Sequence, residues 1–293
     1  MLIKSFRFKR DGFFIYFHHM NSICLNGKLL PADKPVLMFD NRSYRYGDGL
    51  FETMKVIGQN ISLEKFHFER LFTGLKQMGF QIPALFTTDN LKQHILLLCK
   101  KNKCSELARV RLSVFRGNGG ITEDINDLQY IIECWPVNES INQLNDNGFI
   151  IDIYPEAKKS CDKFSNIKSA NYIPYVMAAR YAKENKLNDC LVLNTHERIA
   201  DSTIANIFLI KDQKLFTPPL SEGCVNGVMR RHIIEQYDVN ETFFTVGDIL
   251  SADELFLTNA MSGIRWVQQC REKMFARFKT TEMHNTLLKT LWS

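Results

Sequence analysis

No stretch of this chain reaches the roughly 18 uninterrupted apolar residues that a membrane-spanning helix requires, so no such helix is expected. Neither sign of charge dominates. The chain has 37 basic and 32 acidic residues, a net charge of +5, which is too small and too evenly spread to suggest a nucleic-acid surface. The N-terminus lacks a secretory signal, which needs an apolar run of roughly 7–15 residues and a small-residue cleavage site. Met20 is therefore read as the natural start, with residues 1–19 a poorly packed extension. Eight cysteines are present, but none forms a Cys-x-x-Cys pair and no metal-ligand spacing appears. No metal site is expected. The thiols read as reduced, buried side chains of a cytoplasmic protein. Internal repeats and low-complexity tracts are also missing.

What is present is the material of an ordinary core: 45% hydrophobic, 12% aromatic and 24% charged residues in a chain of 293. That length suits two domains or one large one. Asn26-Gly27 predicts a tight hairpin over Ser22 to Leu30. Phe51 to Ile57 and Arg109 to Phe115 alternate as strands; in the second, Arg109, Arg111 and Ser113 share one face. Tyr130 to Trp135 reads as a buried strand. Helical spacing covers Leu63 to Met78, ending at Gly79, and Leu91 to Lys101. The polar residues 136–147 read as a linker between an N-terminal domain (20–135) and a C-terminal domain (148–293). In the second half, strands are predicted at Phe149 to Tyr154, Cys190 to Leu193, Ile207 to Ile210 and Leu255 to Leu257. Helices are predicted at Ile173 to Glu184, after Asn226 and after Thr281. The pattern is α+β, or α/β without regular alternation.

Four features can carry chemistry. Lys168, in Asn166-Ile167-Lys168-Ser169, sits beside an apolar residue, and burial of its amine would make it nucleophilic. Gly223 to Arg230 (GCVNGVMR) leads into a helix whose first amides could cradle a phosphate. His67 and Arg70 lie one helical turn apart, and arginine grips phosphate bidentately. Asp201 precedes a strand and could face a pyridine nitrogen. Taken singly, each has an ordinary reading: surface lysine, loop glycine, solvated helix face, turn aspartate.

Their order along the chain resembles the class-IV aminotransferases, the fold-type IV pyridoxal-phosphate enzymes. The matching blocks are DNRSYRYGDGLFET (Asp40 to Thr53), HFERL (His67 to Leu71), RLSVFRG (Arg111 to Gly117), NIKSANY (Asn166 to Tyr172), ADSTIANIF (Ala200 to Phe208), TPPL (Thr217 to Leu220), GVMR (Gly227 to Arg230) and DELFLTNA (Asp253 to Ala260). The resemblance implies a two-domain fold with pyridoxal 5'-phosphate in the interdomain cleft, and a homodimer. It implies Lys168 as the Schiff-base lysine and Arg70 as the phosphate arginine. Val228 and Met229 would supply helix amides to the phosphate, and Asn259 and Ala260 a second loop. Asp201 stands where the family usually has glutamate, and Tyr172 is placed near the cofactor's phenolic oxygen, the alternative being a packed helix residue. Arg111 lies where a substrate carboxylate is held, the alternative being a strand arginine paired with an acid. Within the family, Met229 and Ala260 replace threonines usual in transaminases and lean toward the aminodeoxychorismate lyases of folate precursor synthesis. Transamination of branched-chain or D-amino acids is the alternative. A non-catalytic relative, suggested by Asp201 alone, is the third.

Overall fold

The computed structural model describes residues 21–123 and 126–291. The extension expected at residues 1–19 lies outside the described residues. Two sheets organise the molecule. The first contains β1 (Ser22–Leu25), β2 (Lys28–Pro31), β3 (Gly49–Ile57), β4 (Asn60–Ile61), β5 (Leu107–Arg116) and β6 (Leu128–Pro136), in the antiparallel order β2-β1-β6-β5-β3-β4. The short helix α1 (Arg42–Tyr46) precedes β3, and α2 (Glu64–Gln77) and α3 (Thr88–Lys101) pack on the sheet. The β1–β2 turn has Asn26 at φ 50° and Gly27 at φ 83°, as a type I′ turn requires.

Helix α2 forms because Phe68, Leu71 and Leu75 recur at helical spacing, and all three are buried against the sheet. Each such burial contributes about 1.5–3 kcal/mol. The helix stops at Met78, where Gly79 takes a left-handed φ of 70°. Strand β6 is longer than predicted and alternates between buried and half-buried residues, because only one face meets α3. The predicted fully buried strand is corrected accordingly.

The second sheet contains β7 (Phe149–Lys159), β8 (Asp189–Asn194), β9 (Ile199–Ser202), β10 (Asn206–Lys211), β11 (Lys214–Thr217), β12 (Val239–Glu241), β13 (Glu254–Asn259), β14 (Gly263–Cys270) and β15 (Lys273–Met274). Its order is β12-β11-β10-β13-β14-β7-β8-β9, with β15 on β14. Helix α4 (Ile173–Glu184) links the parallel strands β7 and β8 and packs on both; Pro174 in its first turn suits a helix start. The remaining helices are α5 (Val228–Gln236), α6 (Val246–Leu250) and α7 (Phe278–Leu291).

Between the sheets, residues 137–148 contain one 3-10 turn, Glu139–Asn142. They are pinned rather than loose. Arg265 donates to the carbonyls of Ile141 (2.6 Å) and Gln143 (2.7 Å), and Asn145 bonds the main chain of Trp266. A second tie matters more. The segment carrying Lys168 pairs with β3 of the first sheet: Phe51 N donates to Lys168 O (2.9 Å) and Ala170 N to Gly49 O (2.8 Å). On its other side Asn226 N donates to Asn166 O at 3.0 Å. Lys168 is thereby held where the two sheets meet.

Candidate active site

A cavity of about 930 Å³ opens at that junction. Nine residues singled out from the sequence line it: Lys168, Arg70, Arg111, Tyr172, Asp201, Val228, Met229, Asn259 and Ala260; His67 lies outside the lining. They come from β5, α2, β9, α5, the β13–β14 turn and the Lys168 segment, so the chain must fold before they meet.

Lys168 opens onto the cavity. Its Nζ lies 4.7 Å from the Phe51 ring centre and 5.6 Å from that of Tyr172. Burial, reinforced by the Arg70 and Arg111 cations and opposed by Glu52 and Asp201, lowers its pKa from 10.5 to about 7. The surface-lysine reading is thus replaced by an amine that is substantially neutral, and so nucleophilic, near neutral pH.

Arg70 is held by a carboxylate that the sequence reading did not single out. Glu52 on β3 accepts from Arg70 Nε (2.7 Å) and Nη2 (2.5 Å), and lies 2.6 Å from His67 Nδ1. Burial opposes ionisation of Glu52, but the Arg70 cation and His67 outweigh it and hold its pKa at about 2. The expected solvated helix face is therefore a buried ionic cluster, with His67 and Glu52 at 0% and 1% exposure. A signal was available: Phe51 and Thr53 face the cavity, so the alternation of β3 turns Glu52 toward the core, where a carboxylate needs partners. The remaining Arg70 bond, from Nη1, goes to the carbonyl of Asn226 at 3.0 Å. This brings the guanidinium beside the start of α5.

At that start the N-cap is Gly227, and no side chain caps the amides of Val228 and Met229. A Cβ at position 227 would lie 1.8 Å from Asn206 Oδ1, so only glycine lets Asn206 pack here. Asn206 in turn donates to Val225 O at 2.8 Å. In the same lining, Asn259 Oδ1 accepts from the amides of Met261 (3.0 Å) and Ser262 (2.9 Å), which shapes the turn containing Ala260.

Asp201 is a strand residue of β9, not a turn residue. Its Oδ2 accepts from Tyr175 (2.8 Å), Val225 N (2.9 Å) and Lys159 (3.3 Å). Its Oδ1 is buried without a partner among the described residues. A buried acceptor left open beside a cavity is a place for a ligand's N–H. Tyr175 and Lys159 were missed by the sequence reading; no local pattern marks them. Tyr172 donates to Thr203 O at 3.4 Å and meets Phe51 edge-on. Burial raises its phenol well above the ordinary range. Arg111 stacks on Phe51, 3.7 Å from the ring centre, and its Nε donates to Ser113 Oγ at 3.1 Å. Arg109, two residues earlier on the same face, also lines the cavity. Arg265 lies outside the lining and serves the segment between the sheets.

The geometry defines an enzyme built around a buried amine, with an arginine beside an uncapped helix start and a buried carboxylate with one open oxygen lining the same cavity. Residues 49–270 match the model of the amino-transferase class IV family, and the chain belongs to that family of pyridoxal-phosphate-dependent enzymes. The aminodeoxychorismate lyase of Vibrio harveyi is 26% identical over 232 residues, covering 76% of this chain and 83% of that protein. The D-alanine aminotransferase of Staphylococcus epidermidis is 23% identical over 265 residues, covering 84% and 87%. A hypothetical aminotransferase from Mycobacterium tuberculosis, solved in its PLP-bound form, superposes with a TM-score of 0.78 at 18% identity, over 92% of this chain and 98% of that one. The residues present fit the cofactor. The amine, the arginine beside free helix amides and the open Asp201 oxygen match an aldehyde, a phosphate and a pyridinium N–H in turn.

Proposed function

We propose that this chain is a lyase converting 4-amino-4-deoxychorismate to 4-aminobenzoate and pyruvate, a step toward folate. The observation that carries the reading is the pair of arginines, Arg109 and Arg111, on one face of β5 and lining the same cavity as Lys168. The substrate has two carboxylates, and two guanidiniums suit them. Met229 and Ala260, in place of hydroxyl side chains at the phosphate end, support the same choice.

When bound, pyridoxal phosphate supplies an electron sink for the carbon that loses a proton. The chain's residues do the rest. Lys168 is the residue that would hold the cofactor's aldehyde, and its amine would be free once substrate is bound. The freed amine, with its pKa lowered to about 7, then takes the proton from the ring carbon bearing nitrogen. Arg70 and the amides of Val228 and Met229 hold the phosphate, aided by the Asn259–Ala260 turn. Asp201 presents Oδ1 to the pyridine nitrogen. It is one methylene shorter than glutamate, and its three donors on Oδ2 fix its direction. Tyr172 would lie near the cofactor, and Arg111 would orient a substrate carboxylate; both line the cavity. Departure of the enolpyruvyl group from the neighbouring carbon makes the ring aromatic. A cytoplasmic homodimer with domains meeting at residues 136–147 belongs to the same proposal.

The second reading is transamination, favoured by the similar identity to D-alanine aminotransferases. In it Lys168 would take and return the proton of the substrate's α-carbon. An assay with purified holoenzyme separates the two. Equal formation of 4-aminobenzoate, followed by fluorescence, and of pyruvate, followed by a coupled dehydrogenase, is expected with aminodeoxychorismate and is abolished in Lys168→Ala. If neither product forms while an amino acid converts the bound cofactor to its amine form, the protein is a transaminase.

A further inference from the structure

Away from the active site, at the far end of α3, three sulfurs converge. Cys99 lies in the last turns of the helix. Beyond the helix end, Lys103 takes a left-handed φ of 56°, an unusual conformation for a side-chain-bearing residue, and turns Cys104 back beneath Cys99. Cys104 N then donates to Cys99 O at 3.0 Å. Cys134 points in from β6. The three Sγ atoms lie within 4.8 Å of one another, and those of Cys104 and Cys134 are 3.5 Å apart. None of the three residues is more than 4% exposed. The surrounding frame is stitched together. Asn102 donates to Cys134 Sγ at 3.3 Å, and its side chain bonds both Ser22 N and Ser22 O.

We propose that Cys99, Cys104 and Cys134 form a three-coordinate binding site for a soft metal ion, copper(I) by its chemistry. Thiolates favour soft ions. A first-row ion bound to thiolate at about 2.3 Å sets the sulfurs of a trigonal plane about 4.0 Å apart. The Cys104–Cys134 separation of 3.5 Å is about half an ångström below that spacing, and no pair exceeds 4.8 Å. Zinc in a structural site takes four ligands. No further histidine, cysteine or carboxylate joins this cluster among the described residues, and all three cysteines are buried. The ion replaces thiol protons, which pass to solvent, so binding needs no oxidant or reductant. Lys100, Lys101 and Lys103 are exposed at the same helix end. The sequence spacing concealed the site: five and 30 positions separate the ligands, and only the packing of α3 on β6 joins them.

The test is an anaerobic titration of reduced holoenzyme against copper(I) held by bicinchoninate. The site predicts withdrawal of one equivalent. X-ray absorption at the copper edge then finds three sulfur neighbours and no nitrogen or oxygen. Cys104→Ser abolishes capture, while Cys161→Ser, outside the cluster, leaves it intact. No withdrawal by the wild type would mean that the three thiols are simply packed core. Capture that survives Cys104→Ser, or a shell containing two sulfurs or any light atom, likewise overturns the proposal. The absorption spectrum uses the wild-type protein, so the test stands even where a serine variant does not fold.

Discussion

Removing the Lys168 amine alters how stability depends on pH in a way that can be calculated from the structure. In the folded, cofactor-free chain the amine has a pKa of about 7, against 10.5 for an ordinary lysine. That difference corresponds to about 5 kcal/mol, an upper figure because water in the cavity screens part of it. The sign follows from proton binding. Between pH 7 and 10.5 the unfolded chain holds a proton at Lys168 that the folded chain has released, so stability rises with pH across this window. Lys168→Met has no such group. Relative to that variant, the wild type should gain about 2 kcal/mol between pH 7 and pH 9. Urea unfolding of both cofactor-free proteins at the two pH values measures the gain. Burial lowers the His67 pKa from 6.5 and the Lys168 charge lowers it further, so the comparison starts at pH 7; the cysteines are common to both proteins. Parallel pH dependence of wild type and variant would mean that the lysine is solvated and charged, and the nucleophile argument would fail. On the proposed role of Lys168 as the cofactor's lysine, the same titration governs cofactor uptake: at pH 8 about nine-tenths of Lys168 is free amine, against less than about 1% for an ordinary lysine.

Three further outcomes are expected. Glu52→Gln leaves Arg70 without its buried anion and should destabilise the protein by about 3–5 kcal/mol, read as a lower midpoint in thermal unfolding; an unchanged midpoint refutes the pairing. Gly227→Ala forces a methyl group onto Asn206 Oδ1 and should weaken cofactor retention on dialysis at least tenfold, with the circular dichroism preserved. Arg111→Leu removes a charged contact worth about 1.5–3 kcal/mol. KM for aminodeoxychorismate should rise about 10- to 100-fold while kcat changes less, and a fall confined to kcat would move Arg111 from orientation to chemistry.

Much of the site was legible before folding, because its chemistry needs particular side chains in a particular order. Lys168, Arg70, Asp201 and the glycine ahead of α5 were all found that way. So were the elements with strong periodicity, such as α2, α4 and β5, since amphipathic spacing and Pro174 act locally. Short pieces were not. Strands β9, β11 and β14 carry no decisive local pattern, and they form because neighbouring strands pair with them. That pairing is why Asp201 read as a turn residue and proved to lie on a strand. Glu52, Tyr175 and Lys159 are distant in sequence from the groups they serve, and only long-range packing brings a carboxylate to Arg70 or two donors to Asp201. The same holds for the three cysteines. The amino-acid sequence determined which reactive groups exist and the secondary structure around most of them. The tertiary structure decided which groups become buried together, and burial sets the charge state of Lys168, the direction of Arg70 and the open oxygen of Asp201, because desolvation and close partners act only once the sheets have met.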